Sequence, residues 1–189
     1  MTSITTKTGD NGESSLANGT RLSKSDLIFD VIGDLDELSS WIGWLISALE
    51  ERNEYLQYRV FLNEIQRIIY LISAEIVCAR KEGDSTLLQD DSLQAIEKNC
   101  LQLEKEVKDS IHSKFVHPGG CVLSAQVDIT RSVCRRAERS LVRLAQKSEV
   151  RLLLLSVCNR LSDYLYLLRC FINQQEGVVE QTLSVAVEK

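Results

Sequence analysis

"VRLLLLSVCNRLSDYLYLLRCFI" (residues 150–172) is the most apolar run in the chain, and its reading decides the fold. About 20 consecutive apolar residues suffice to span a bilayer, so length alone allows a membrane helix. Arg151, Asn159, Arg160, Asp163 and Arg169 break the run and exclude that reading. A helix buried along one side remains: Leu161, Leu165 and Leu168 lie away from Asn159 and Asp163, which are one turn apart. The pattern predicts a helix from about Glu149 to Gln175, with Gly177 suited to its C-terminal cap.

Four similar stripes precede it. Leu35, Leu38, Ile42, Leu45, Ile46 and Leu49 predict a first helix beginning at Asp34, where Asp34 and Glu37 have the spacing of a capping box. A second helix is expected from about Glu54 to Arg80, carrying Val60, Phe61, Ile65, Ile68, Ile69, Ile72 and Ile76 inward. "KEGDSTLLQDDS" (81–92) ends it, and a third follows on Leu93, Ile96, Cys100, Leu103 and Val107. After "HPGG" (117–120), a fourth from about Ser124 to Gln146 buries Val127, Thr130, Cys134, Ala137, Leu141 and Leu144. Five amphipathic stripes must bury one another, which gives an all-α five-helix bundle. Residues 1–33 read as loop with a short strand, 34–176 as the bundle and 177–189 as a tail or flap, all within one domain of 189 residues.

Pro118 is the only proline, as suits a helical chain. The net charge of −5 gives no global field for nucleic acid or an anionic membrane, although a local basic patch can still hold a phosphate-bearing molecule. Six cysteines contain no C-x-x-C pair and there are two histidines, so no zinc site is expected; buried, reduced thiols in a cytoplasmic protein are. The residues after Met1 are polar, without the apolar core of a signal peptide.

Three polar stretches interrupt this plan. "RSVCRRAER" (131–139) puts Arg131, Arg135, Glu138 and Arg139 on one face, either a solvated surface or a clamp for an oxyanion between mutually repelling guanidinium groups. "DLDEL" (34–38) places acids where a first helical turn favours them without any function. "TKTGDNGESS" (6–15) is not a P-loop, because Ser23 rather than glycine precedes Lys24 and no strand–loop–helix follows. Its glycines and hydroxyls still allow a phosphate-cradling nest.

In chain order, "TKTGDNGESS", Lys24, "GDLDELSSWIG" (33–43), "FVHPGG" (115–120), "RSVCRRAER" and "NRLSDYL" resemble the PduO-type cob(I)alamin adenosyltransferases, from about Thr5 to Cys170. The resemblance implies a five-helix, ferritin-like bundle with an N-terminal nucleotide-binding loop, assembled as a homotrimer with active sites between subunits. It implies ATP and cob(I)alamin as substrates, Mg²⁺ as cofactor, and transfer of the 5′-deoxyadenosyl group to Co(I) with release of triphosphate. A Co(II) reductase and an adenosylcobalamin-dependent enzyme are the protein partners it implies.

By the same resemblance Thr6, Lys7, Thr8, Gly9, Asp10, Asn11, Gly12, Glu13, Ser14, Ser15 and Lys24 wrap the ATP phosphates. Arg135 is the principal triphosphate ligand, with Arg136, Glu138, Arg139 and Asn159 beside it. Arg131 and Asp36 form an ion bridge across the subunit boundary next to the corrinoid, with Asp163 on the corrinoid side. Phe115 crowds the lower corrin face and displaces the dimethylbenzimidazole ligand. His117 stands where an apolar residue usually precedes Pro-Gly-Gly, and Asn11 replaces a common lysine. These two departures keep an alternative open, a cobalamin carrier or pseudoenzyme that retains the bundle without adenosylation.

Overall fold

The computed structural model describes residues 5, 7–78, 87–107 and 115–183. They form a short hairpin, β1 (Glu13–Ser15) and β2 (Arg21–Ser23), followed by α1 (Leu27–Ala48), α2 (Leu56–Cys78), α3 (Asp90–Glu106), α4 (Val122–Ala145) and α5 (Leu152–Gln175). Helix α4 packs between α1 and α5, α2 lies on α1, and α3 lies on α5. Tyr58 meets Phe171 at 4.7 Å and Phe61 meets Tyr164 at 5.0 Å, which closes the bundle from α2 onto α5. Each such ring pair adds about 0.5–1.5 kcal/mol beyond its buried area.

Helix α4 buries every inward residue its spacing picks out: Val127, Thr130, Cys134, Ala137, Leu141 and Leu144. In α2 one residue departs from expectation, because Val60 is 62% exposed while its neighbour Phe61 faces the core. Helix α1 departs more. It starts at Leu27, with the Asp26 side chain accepting from the Ile28 N–H at 3.1 Å. Ile28 and Val31 extend the buried stripe backwards, and burying them outweighs the roughly 1 kcal/mol lost at Gly33 inside the helix. Asp34 and Glu37 are therefore not a capping box, and their charges lie beyond the first turn.

The hairpin pairs Glu13 with Ser23, Ser14 with Leu22 and Ser15 with Arg21. Leu16, at its tip, is buried in the core and anchors the N-terminal segment to the bundle. At the other end, Gly177 (φ 65°) caps α5 and the chain turns back. Thr182 bridges Val116 in antiparallel fashion, so the described part of the expected tail is a strap along residues 115–117.

Candidate functional site

Helix α4 carries the site because one of its faces has no hydrophobic work to do. Arg135, Arg136, Glu138, Arg139, Val142 and Arg143, with Asn159 from α5, line an open cleft of about 680 Å³. Asn159 donates its side-chain N–H to Glu138 at 2.9 Å, tying α5 to α4 across the floor. Arg136 is committed elsewhere: Nε donates to Asp34 at 3.0 Å and Nη2 to Glu37. That pairing explains the acids that sequence reasoning assigned to a helix start. Ser140 donates to the other oxygen of Asp34 and accepts from Arg143 Nη2 at 2.8 Å.

Arg135, Arg139 and Arg143 have no carboxylate partner in an ion pair among the described residues. Arg139 Nη1 donates only to the Arg135 carbonyl, at 2.9 Å. Unpaired guanidinium groups on successive turns repel one another, and a polyanion between them relieves that repulsion. Arg143 was missed in the sequence, although its spacing from Arg139 was the available signal. Behind the cleft, burial pushes the Cys158 thiol up to about 12 and raises Cys134 as well, so both stay neutral.

The N-terminal loop does not line this cleft within one chain. Thr6 lies outside the described residues. Lys7, Thr8, Gly9, Asp10, Asn11 and Gly12 form successive turns, with the Gly12 N–H donating to the Gly9 carbonyl at 3.3 Å. Asn11 accepts from the Glu13 N–H at 3.3 Å, a local turn contact. Arg21 pairs with Glu13 at 3.1 Å and donates to the Thr8 carbonyl at 3.1 Å. Lys24 Nζ donates to the Gly9 carbonyl at 2.8 Å, and a Cβ on Gly9 would stand 3.1 Å from that nitrogen. The loop is thus held in shape by its own cations, with Glu13, Ser14 and Ser15 in β1.

Four further residues sit apart from the cleft. Asp36 is exposed on α1. Arg131 on α4 is half-buried and ion-paired with Asp128 at 3.9 Å, and its buried Nε has no hydrogen-bond acceptor among the described residues. Asp163 is exposed on α5 and ion-paired with Arg160. Phe115 is 83% exposed at the start of the 115–120 turn. His117 is exposed, and its backbone N–H and carbonyl are both bonded within the protein.

Sequence reasoning also missed what holds that turn. Arg169, 1% exposed, donates to Asp128 at 3.2 Å, to the His117 carbonyl at 2.9 Å and to the Gly119 carbonyl at 3.3 Å. Asp128 accepts from the Gly119 N–H at 2.7 Å. A Cβ on Gly120 would overlap the Asn173 amide, so only glycine fits there.

A bundle with unpaired cations on one helix face and an acid-tied arginine beside them is a helical protein whose cleft suits a polyanion. Comparison with known proteins narrows the class. Residues 4–172 match the family described as Cobalamin adenosyltransferase, and the chain belongs to that family. The corrinoid adenosyltransferase MMAB of Mus musculus is 33% identical over 184 residues, covering 94% of this chain and 76% of that protein. A corrinoid adenosyltransferase of Bacillus subtilis is 30% identical over 173 residues, covering 92% and 88%. Among solved structures, a variant of the PduO-type ATP:corrinoid adenosyltransferase from Lactobacillus reuteri, complexed with cobalamin and ATP, superposes with a TM-score of 0.83. It is 26% identical and covers 97% of this chain and 100% of that one.

Proposed function

We infer that this chain is a corrinoid adenosyltransferase: it transfers the 5′-deoxyadenosyl group of ATP to cob(I)alamin and releases inorganic triphosphate. The observation that carries this is the cleft of unpaired Arg135, Arg139 and Arg143 on a chain of this family. A corrinoid carrier has no use for a triphosphate clamp.

Co(I) is itself the nucleophile and attacks the ribose 5′-carbon, so no general base is required. The protein holds that carbon in line with the cobalt, which contributes several kcal/mol by positioning. As the C5′–O bond breaks, negative charge grows on the leaving triphosphate. Arg135, without a carboxylate partner among the described residues, takes the role of stabilising it that the family resemblance gives it, whereas Arg136 is held by Asp34 and Glu37. Arg139, Arg143 and Asn159 orient the phosphates, and residues Thr6 to Ser15 with Lys24 wrap them. Mg²⁺ would be held chiefly by the phosphates of ATP, and Glu138 is the one carboxylate lining the cleft that could support it. When bound, it neutralises part of the triphosphate charge.

The loop and the cleft meet in a homotrimer, each active site lying between subunits. Two features support that assembly: the loop does not line the cleft of its own chain, and the Arg131 Nε lacks a hydrogen-bond acceptor among the described residues. Asp36 of an adjacent subunit supplies the partner for Arg131, with Asp163 on the corrinoid side. Phe115 crowds the lower corrin face and keeps the dimethylbenzimidazole off the cobalt. The chain acts as a single domain, residues 1–189, and its six free thiols suit the cytoplasm.

Anaerobic incubation with ATP, Mg²⁺ and chemically reduced cobalamin tests the reading. Adenosylcobalamin and triphosphate should form together, and the rate should fall when Mg²⁺ is withheld. ADP in place of triphosphate, or ATP binding without turnover, would overturn it.

A further inference from the structure

The chain beyond α5 folds back onto the bundle. Val178 N–H donates to the Asn173 carbonyl at 2.9 Å, His117 N–H to the Gln181 carbonyl at 2.9 Å, and Leu183 N–H to the Phe115 carbonyl at 2.7 Å. Between these contacts the Glu180 side chain, 6% exposed, turns inward onto Arg169. Asn173 donates to the same Glu180 oxygen at 2.8 Å and to the Gly119 carbonyl at 3.1 Å. One buried guanidinium therefore joins α4 through Asp128, the 115–120 turn through two carbonyls, and the strap through Glu180.

Phe115 needs such support. Its side chain stands in solvent, so its backbone sets where the ring points. The Leu183 N–H holds the Phe115 carbonyl directly, and Arg169 holds the carbonyl two residues on. A ring that must exclude a coordinating base acts only if its supporting shell keeps it in place.

We propose that residues 178–183 form a clamp that presents Phe115 to the corrinoid, with Glu180 as a positioning residue acting through Arg169. The inference rests on the lower-face reading of Phe115. When Glu180 is removed, Arg169 keeps Asp128 as its remaining carboxylate, the strap loses its buried side-chain anchor, and the pairing of 181–183 with 115–117 loosens. The Phe115 ring then yields to the dimethylbenzimidazole, and the cobalt returns to five coordination.

The test compares Glu180→Ala, Glu180→Gln, Phe115→Ala and the double variant Phe115→Ala/Glu180→Ala, each bound to Co(II)cobalamin and ATP. Electron paramagnetic resonance measures the four-coordinate fraction. Glu180→Ala should lower that fraction and kcat together by roughly tenfold, as when a residue supporting a contact group is lost. KM for ATP should stay at the wild-type value, because the arginine cleft is untouched. Glu180→Gln keeps an acceptor oxygen and should fall between Glu180→Ala and wild type. The double variant should match Phe115→Ala, since Glu180 acts only through that ring.

A wild-type spectrum for Glu180→Ala beside an altered one for Phe115→Ala overturns the clamp and leaves the Phe115 reading standing. An unchanged spectrum for Phe115→Ala removes the lower-face role itself. If Glu180→Ala fails to fold, Leu183→Pro removes the N–H that holds the Phe115 carbonyl without touching Glu180 or Arg169, and it must shift the spectrum the same way.

Discussion

Arg135 and Arg136 are adjacent in sequence and both line the cleft, yet the fold gives them opposite duties. Arg135 is exposed and forms no ion pair among the described residues, so Arg135→Ala removes neither core packing nor a salt bridge. Its stability change should stay within about 0.5 kcal/mol, a Tm shift under about 2 °C for a chain of this length. A charge-assisted hydrogen bond to phosphate contributes about 1.5–3 kcal/mol, so kcat/KM for ATP should fall roughly 10- to 150-fold. Arg136→Ala reverses the balance. It deletes pairs to Asp34 and Glu37, with the arginine side chain 42% exposed, and solvent screening limits each to about 0.2–1 kcal/mol. A Tm loss of a few degrees with a smaller loss of turnover is expected. Anaerobic steady-state assays at saturating cob(I)alamin with ATP varied, alongside thermal melts, separate the two. Wild-type kcat/KM in Arg135→Ala, or equal activity losses in both variants without a Tm change in Arg136→Ala, would refute the division.

Tyr164 is fully buried with an unpartnered hydroxyl among the described residues, so Tyr164→Phe should gain about 1 kcal/mol and raise Tm by about 2–4 °C; a lower Tm would mean the hydroxyl is bonded. Burial pushes the Cys100 and Cys158 thiols up to about 12, whereas an unfolded thiol ionises near about 8.5. The folded chain then holds more protons between those values, so stability falls as pH rises, by at most about 1.4 kcal/mol per pH unit for a thiol shielded in this way. A melting temperature that is flat from about pH 9 to 10.5 would contradict that burial. Arg131→Ala should lower both turnover and trimer mass in light scattering; an intact trimer with unchanged corrinoid affinity would remove Arg131 from the interface.

The bundle was legible because its helices obey one rule at a time. In α4 the inward residues recur every three or four positions with charged residues between them, so periodicity alone identified them. Helix α1 hid its start because Gly33 and Asp34 imitate a boundary, while the true cap at Asp26 precedes a stripe that only packing reveals. The arginine face was legible as a pattern, but its division of labour was not. Whether an arginine is free or paired depends on α1, whose acids lie about 100 residues away in sequence. Arg169 was read only as an argument against a membrane helix. Its burial depends on four acceptors from α4, the 115–120 turn and the strap, none visible in local spacing.

Charge balance at the cleft joins these pieces. Arg136 is neutralised by Asp34 and Glu37, which leaves Arg135, Arg139 and Arg143 against Glu138. That remainder is two positive charges, well short of neutralising a triphosphate, and a divalent cation brings the two closer to balance. The N-terminal loop adds about one net positive charge: Arg21 is paired with Glu13, Lys7 is offset by Asp10, and Lys24 keeps its charge while donating to the neutral Gly9 carbonyl. Its larger contribution is shape. On the proposed reading, glycine turns and hydroxyls close around phosphates held by α4, and the loop's shape comes from the cations that brace it from within. Such a division suits a reaction whose nucleophile arrives fully activated. The protein has no proton to move, and what it must supply is a fixed 5′-carbon and a stabilised leaving group.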